Sequence, residues 1–268
     1  MLNLHTRSRI AGDGGADKIV EKETAWDPKK TAVVVIDMWD DHWCKSAAAR
    51  VGELTPPVND ALSALRKKGV FIIHSPSSVT SFYKDAPERK RAQSAPFAAT
   101  PIALSKVERW GTCWLYPDPK REGPLPIDDS DMGCDCQDAK CKIREAWTRQ
   151  TAGITIDPAD AITDDGQEAW NLLAERKIDN VIILGVHLNM CVLGRPPAIR
   201  QMVGLGKNVV LVRDFTDTMY NPEKKPFVNH FAGTDLVVAH VERYWCPSIL
   251  STDLTGKPAF RFKAAPSK

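Results

Sequence analysis

The sequence predicts a three-layer α/β/α fold on a mainly parallel sheet, plus one long irregular insertion. Three observations carry this prediction. Short β-branched runs at residues 31–40, 70–75, 180–186 and 208–214 lack a clear polar–apolar alternation, as expected of strands buried on both faces. Stretches with apolar residues at helical spacing separate them, and strand–helix–strand order dictates parallel neighbours with helices on both faces. Between residues 76 and 153 this regularity is lost, and prolines at 87, 96, 101, 117, 119, 124 and 126 break any long element.

In chain order, residues 1–30 are polar and read as an N-terminal arm. TAVVVIDMWD (31–40) is a strand ending in acid. PPVNDALSALRKKG (56–69) places Val58, Ala61, Leu62 and Leu65 on one helical face and stops at Gly69. VFIIHS (70–75) completes a β-α-β unit. The 76–153 insertion is too long for a structureless loop and should carry short elements of its own, shaping the family-specific part of a site. ITI (154–156) reads as the third strand and GQEAWNLLAERKI (166–178) as a helix resting Trp170, Leu172, Leu173 and Ile178 on the sheet. NVIILGV (180–186) is the fourth strand, PAIRQMVGLG (197–206) a helix and NVVLVRD (208–214) the fifth strand. One further helix and an edge strand should close a single domain spanning 1–268.

Bulk composition narrows the function. With 36 basic against 34 acidic residues, a net charge of +2 and no basic run, nothing suggests a nucleic-acid partner. No apolar stretch approaches the roughly 20 residues of a membrane helix. A soluble protein is expected, cytoplasmic by default, or exported if a leader was removed. The seven cysteines are an odd number, so at least one is unpaired within the chain.

In such sheets ligands sit beyond the carboxyl ends of the strands. Those ends are read as Asp37, His74, Asp157, His187 through Cys191, and Asp214. Cys191 falls where the fourth strand passes into a helix, whose unpaired N–H groups should depress a thiol pKa and make a nucleophile. A lone cysteine is ordinarily a small buried hydrophobe; the strand-end position and the facing acid favour the reactive reading. The backbone N–H groups of Met190 and Cys191 could receive an oxyanion. Asp37, closing an apolar run, should have a raised pKa suited to taking the thiol proton. A strand-end aspartate can instead simply bond a neighbouring loop.

VVVIDMWDD, GVFIIHSPS and NVIILGVHLNMCV together resemble the isochorismatase-like cysteine hydrolases, the superfamily of nicotinamidases and related amidases, over about 31–76 and 154–217. The resemblance implies that Asp37 and Cys191 are two members of an Asp-Lys-Cys triad. It also implies a cis peptide before the turn, at Val186–His187, and a tendency to form homo-oligomers. The family lysine has no counterpart, because GITIDPADAITDDG puts Ile156 or Asp157 in its slot. Candidate replacement cations are Arg195, one turn after Cys191, then Arg149 and Lys106. An always-charged arginine can stabilise an anion but cannot shuttle protons.

Trp39, His42 and Trp43, with His74, are candidate pocket residues suited to a flat acyl group, although packing beneath the insertion would use the same side chains. The chemistry requires no cofactor. If a divalent metal such as zinc is held, Asp40, His42 and His74 are its candidate ligands, with hydrogen-bonding roles the alternative. GCDCQDAKC carries Cys134, Cys136 and Cys141 at a spacing unlike a zinc knuckle; a surface disulfide, free thiols, or a structural metal completed by Cys44 or Asp135 all fit it. The expected function is hydrolysis of a small-molecule amide or related C–N bond through a thioester. The alternative is a catalytically altered protein that binds a small ligand. Ether hydrolysis of the isochorismate type is disfavoured by the retained cysteine.

Overall fold

A computed structural model describes residues 1–12, 15–136 and 141–265. Ten strands and seven helices are found among them: β1 Leu2–Ala11, β2 Asp17–Trp26, β3 Thr31–Ile36, α1 Lys45–Lys68, β4 Phe71–Ser75, α2 Pro87–Ser94, β5 Glu108–Arg109, β6 Thr112–Cys113, β7 Ala161–Ile162, α3 Gly166–Glu175, β8 Asn180–Val186, α4 Cys191–Gly194, α5 Ile199–Gly204, β9 Asn208–Asp217, α6 His230–Tyr244, β10 Ser248–Ile249 and α7 Thr252–Thr255.

The main sheet has the order β2-β1-β10-β9-β8-β3-β4-β7, while β5 and β6 form a separate small hairpin. From β10 to β7 all neighbours are parallel, and β1 and β2 add an antiparallel hairpin at one edge. Alternate residues of one strand feed opposite faces, which is why the central strands read as unbroken apolar runs. Val33 and Val35 pack with Leu54, Leu62 and Leu65 of α1. Ala32, Val34 and Ile36 pack with Leu172 of α3, Met202 of α5 and Val237 of α6. The predicted three-layer α/β/α architecture is the one found.

Several boundaries differ from the sequence reading. The N-terminal arm is a hairpin: Leu2, Leu4 and Thr6 alternate with exposed residues, so a strand with one wet face had looked merely polar. Helix α1 begins eleven residues before Pro56 and carries Pro56 and Pro57 inside it. The two prolines read as a start signal because they fit a first helical turn, but burial of Ala47, Val51 and Leu54 holds the preceding turns in place. Its stop is as expected, with Gly69 at φ 91°. Residues 154–156 form no strand; Ile154 is a buried loop residue and the third strand is Ala161–Ile162, paired with β4. Asp157 therefore precedes that strand, and Asp164 follows it. Strand β9 runs on to Asp217, leaving Asp214 inside it, bonded to Ser251 at 2.8 Å. The last strand, β10, lies between β9 and β1 and is not an edge.

Among its described residues the insertion holds a 3-10 turn at Thr80–Tyr83, α2 and the β5–β6 hairpin. None of the described helices is long and apolar enough to cross a membrane.

Candidate active site

Strands β3 and β8 are hydrogen-bonded neighbours, so the residues that follow them emerge side by side. Asp37 leaves β3 with φ 47°. Its backbone N–H still bonds the Ser75 carbonyl at 3.1 Å, and its Oδ1 accepts the Ser77 N–H at 2.7 Å. On β8, Gly185 lies against β3 with φ 112°, and a Cβ there would fall 2.0 Å from the Ile36 carbonyl oxygen. Only glycine lets the two chains run this close. The Val186–His187 peptide that follows is cis. Four residues later Cys191 opens α4.

Cys191 lies in interaction range of both the Asp37 carboxylate and the Arg195 guanidinium. Arg195 Nε stands 3.7 Å from Asp37 Oδ2, with both side chains almost fully buried. Nη1 of Arg195 donates to the Arg109 and Trp110 carbonyls at 3.0 and 3.2 Å and to the Thr112 hydroxyl. The β5–β6 hairpin of the insertion thus holds the cation against the acid and the thiol. Burial raises the Asp37 carboxyl above the usual range, and Arg195 and the Ser77 N–H oppose that rise without cancelling it.

Two expectations for Cys191 are corrected. Its thiol pKa is pushed up, first by burial and then by Asp37, with Arg195 opposing. The helix beyond it is one turn of four residues, interrupted ahead of Pro196 and Pro197, and supplies little dipole. The Met190 N–H is already spent on the His187 carbonyl at 3.0 Å and cannot serve an oxyanion without breaking that bond.

Of the three candidate cations, only Arg195 reaches the pair. Lys106 is exposed and does not line the cavity. Arg149 sits over the Phe82 ring, 5.5 Å from its centroid. The position after the third strand, where the family lysine would stand, holds Thr163 and then Asp164, whose carboxylate accepts the Ser78 N–H at 2.9 Å.

Cys191 and Arg195 open onto a cavity of about 330 Å³ that also takes Trp39, His42, Trp43, His187 and Met190 into its lining. Val186 is buried beneath the turn. His74 is not a pocket residue: it lies within β4, its ring nitrogens 3.0 Å from Gln150 Oε1 and from Asp160 Oδ2. Side chains of β4 alternate, and a strand-end reading had placed it one position off.

The insertion supplies what the sequence reading could not assign. Trp147 stacks on Trp39 with centroids 4.1 Å apart, and on His42 at 5.5 Å, making one aromatic wall. Its indole N–H donates to Ser78 Oγ at 3.1 Å. Trp110, Met132, Arg144 and Glu145 complete that side. The tryptophans of the insertion were the available signal, but nothing local says which of them turns inward.

A metal held by Asp40, His42 and His74 does not fit these residues. Asp40 accepts the Thr148 N–H and hydroxyl at 2.8 and 2.6 Å, His74 is committed to Asp160, and only His42 reaches the cavity. His42 Nδ1 accepts the Cys44 N–H at 3.1 Å, and burial lowers its pKa to about 4, so the ring is neutral near pH 7. Burial also holds His187 well below the usual histidine value.

No family model and no curated protein sequence matches the chain. Solved structures do. A cysteine hydrolase from Pseudomonas syringae pv. phaseolicola is similar at 15% identity, over 87% of this chain and 94% of that one, with a TM-score of 0.50. An isochorismatase family protein from Burkholderia thailandensis is similar at 13% identity over 85% and 97%, TM-score 0.47. A zinc-complexed pyrazinamidase of Pyrococcus horikoshii follows at 14% over 78% and 92%, TM-score 0.41. At these identities the likeness is one of fold: the chain has the fold of the Pseudomonas syringae cysteine hydrolase.

Proposed function

We propose that the protein is a cysteine hydrolase of a small amide or related C–N bond, working through a thioester on Cys191. The observation that carries this reading is the buried convergence of Asp37, Cys191 and Arg195 at the end of an aromatic cavity.

In the resting state the proton sits on sulfur and the negative charge on Asp37, compensated by Arg195. When a substrate carbonyl meets the sulfur, Asp37 takes the thiol proton as the S–C bond forms. The negative charge passes to the carbonyl oxygen, which the Cys191 N–H and the Arg195 guanidinium stabilise. Asp37 returns its proton to the leaving nitrogen as the C–N bond breaks, leaving a thioester and a free amine. Water then attacks the thioester, Asp37 accepts its proton, and cleavage of the C–S bond gives the carboxylic acid and the thiol. Arginine does not give up its proton near neutral pH, so Asp37 performs both transfers. A lysine-containing triad has a second titratable group; this one would work with a single base. The flat wall of Trp39, Trp147 and His42 suits a planar or cyclic acyl group.

The test is to incubate the protein with a library of small amides, quench in acid and weigh the Cys191 peptide. An acyl mass on Cys191, absent in Cys191→Ala, supports the reading. Turnover that survives Cys191→Ala refutes it. The protonated resting thiol and the engaged Met190 N–H favour a second reading, a protein of this fold that binds a small ligand without cleaving it. Saturable binding with no adduct and no product would select that one.

A further inference from the structure

The three sulfurs of Cys44, Cys134 and Cys136 all lie within 4.8 Å of one another, although Cys44 is 90 residues from its partners in sequence. Cys44 Sγ and Cys136 Sγ are 3.7 Å apart. Tetrahedral zinc with Zn–S bonds of about 2.3 Å sets its sulfurs about 3.8 Å from each other. A disulfide needs about 2.05 Å, and three sulfurs at mutual contact cannot all pair. Cys141 lies within interaction range of the Cys136 sulfur but outside the group of three, so it would supply a fourth thiolate by closing onto a bound ion.

The surroundings are those of thiolates. The Ser46 N–H points at Cys136 Sγ at 3.2 Å. Donors on sulfur are the outer-shell contacts that metal-bound thiolates use. Cys44 caps the N-terminus of α1, a helix of 24 residues whose positive end favours an anion. The neighbouring carboxylate, Asp135, is already committed: Arg50 donates to both its oxygens at 2.8 and 3.2 Å, and the Ser46 hydroxyl bonds it too. It is therefore a poor competitor for the fourth position.

We propose that Cys44, Cys134, Cys136 and Cys141 bind one zinc ion in a closed four-thiolate site with a structural role. Four thiolates are soft ligands that suit zinc, and a closed tetrahedral shell leaves no position for substrate. Its place in the fold gives the role. Cys134, Cys136 and Cys141 belong to the insertion segment that lends Met132, Arg144, Glu145 and Trp147 to the cavity, and Cys44 adjoins His42 and Trp43, which line it from the segment between β3 and α1. The ion would tie the insertion to that segment. This inference is independent of the hydrolase reading, because it concerns different sulfurs and is read without substrate.

The experiment is metal analysis of the full chain, purified under reducing conditions without chelator, together with X-ray absorption at the zinc edge. The expected result is one zinc ion per chain with four sulfur neighbours at about 2.3 Å. Its release by a mercurial should keep step with the titration of four thiols. The paired variant Cys134→Ser/Cys136→Ser should lose the zinc, and Cys191→Ala should keep all of it. Protein that holds no zinc, and takes none up when zinc is added to its reduced form, overturns the proposal. So does iron in the site, a first shell containing nitrogen, or loss of zinc in Cys191→Ala. The absorption measurement uses the unaltered protein, so it decides the matter even if the serine variant fails to fold.

Discussion

Replacing Arg195 by methionine removes a cation that faces the buried acid and thiol while roughly preserving side-chain volume. At the 3.7 Å separation of Nε and Asp37 Oδ2 and an effective dielectric of about 20, the attraction lost is about 4 kcal/mol. The bonds to the Arg109 and Trp110 carbonyls and the Thr112 hydroxyl go with it. Breaking a buried pair from one side typically costs about 3–5 kcal/mol, but Asp37 has an escape: burial already raises its pKa, and without Arg195 it can protonate. Arg195→Met should therefore be more destabilised at pH 8 than at pH 5. Asp37→Asn leaves the guanidinium unpaired and should also destabilise. The double variant should recover part of both losses, giving a coupling of about 2–4 kcal/mol. Urea unfolding of the four proteins measures it. Additive single effects, with a coupling below about 0.5 kcal/mol, would refute the claim that these two charges compensate one another.

Asp37→Asn should separate thiol acidity from catalysis. Removing the carboxylate withdraws one cause of the raised Cys191 pKa while Arg195 stays, so iodoacetamide should modify Cys191 faster than in the unaltered protein, even as turnover falls about 10²–10⁴-fold; equal alkylation rates would contradict the assigned electrostatics. Because the folded Asp37 pKa lies above its usual value, the acid limb of kcat/KM should sit above the ordinary aspartate range, activity disappearing as pH falls through it. His42 titrates near 4 when folded against 6.5 when unfolded, so its contribution to stability is present above about pH 6.5 and is lost as pH falls towards 4; an imidazole NMR midpoint near 6.5 in the folded protein would be the wrong answer. Gly185→Ala must push a methyl against the Ile36 carbonyl at a backbone angle that disfavours side chains, and should lower stability by at least about 2 kcal/mol, checked by thermal unfolding.

Some of this protein is written locally. Strands buried on both faces announce themselves as unbroken apolar runs, so β3, β4, β8 and the start of β9 could be read directly, and their parallel order followed from the helices between them. Because ligands gather at the carboxyl ends of such strands, Asp37 and Cys191 could be singled out as well, and the structure brings those two side chains together. The N-terminal hairpin was hidden because only one of its faces is apolar, and the third strand because its two residues are too few for any period.

What remained illegible depends on residues distant in sequence. Arg195, Arg149 and Lys106 look alike as cations; a guanidinium is selected only when the β5–β6 hairpin, about 85 residues earlier, presents carbonyls to hold it. The raised pKa of the Cys191 thiol follows first from burial and then from the nearby Asp37 carboxylate, and both arise only in the folded chain. Cys44 meets Cys136 solely because α1 starts beside the insertion. The sequence alone determined the central parallel strands and which two side chains follow them at the carboxyl edge of the sheet, since apolar burial on both faces acts through short-range pattern. Charge compensation, thiol acidity and sulfur clustering were decided by the tertiary structure, because electrostatic energy depends on distance and local dielectric, and neither is a property of neighbours along the chain.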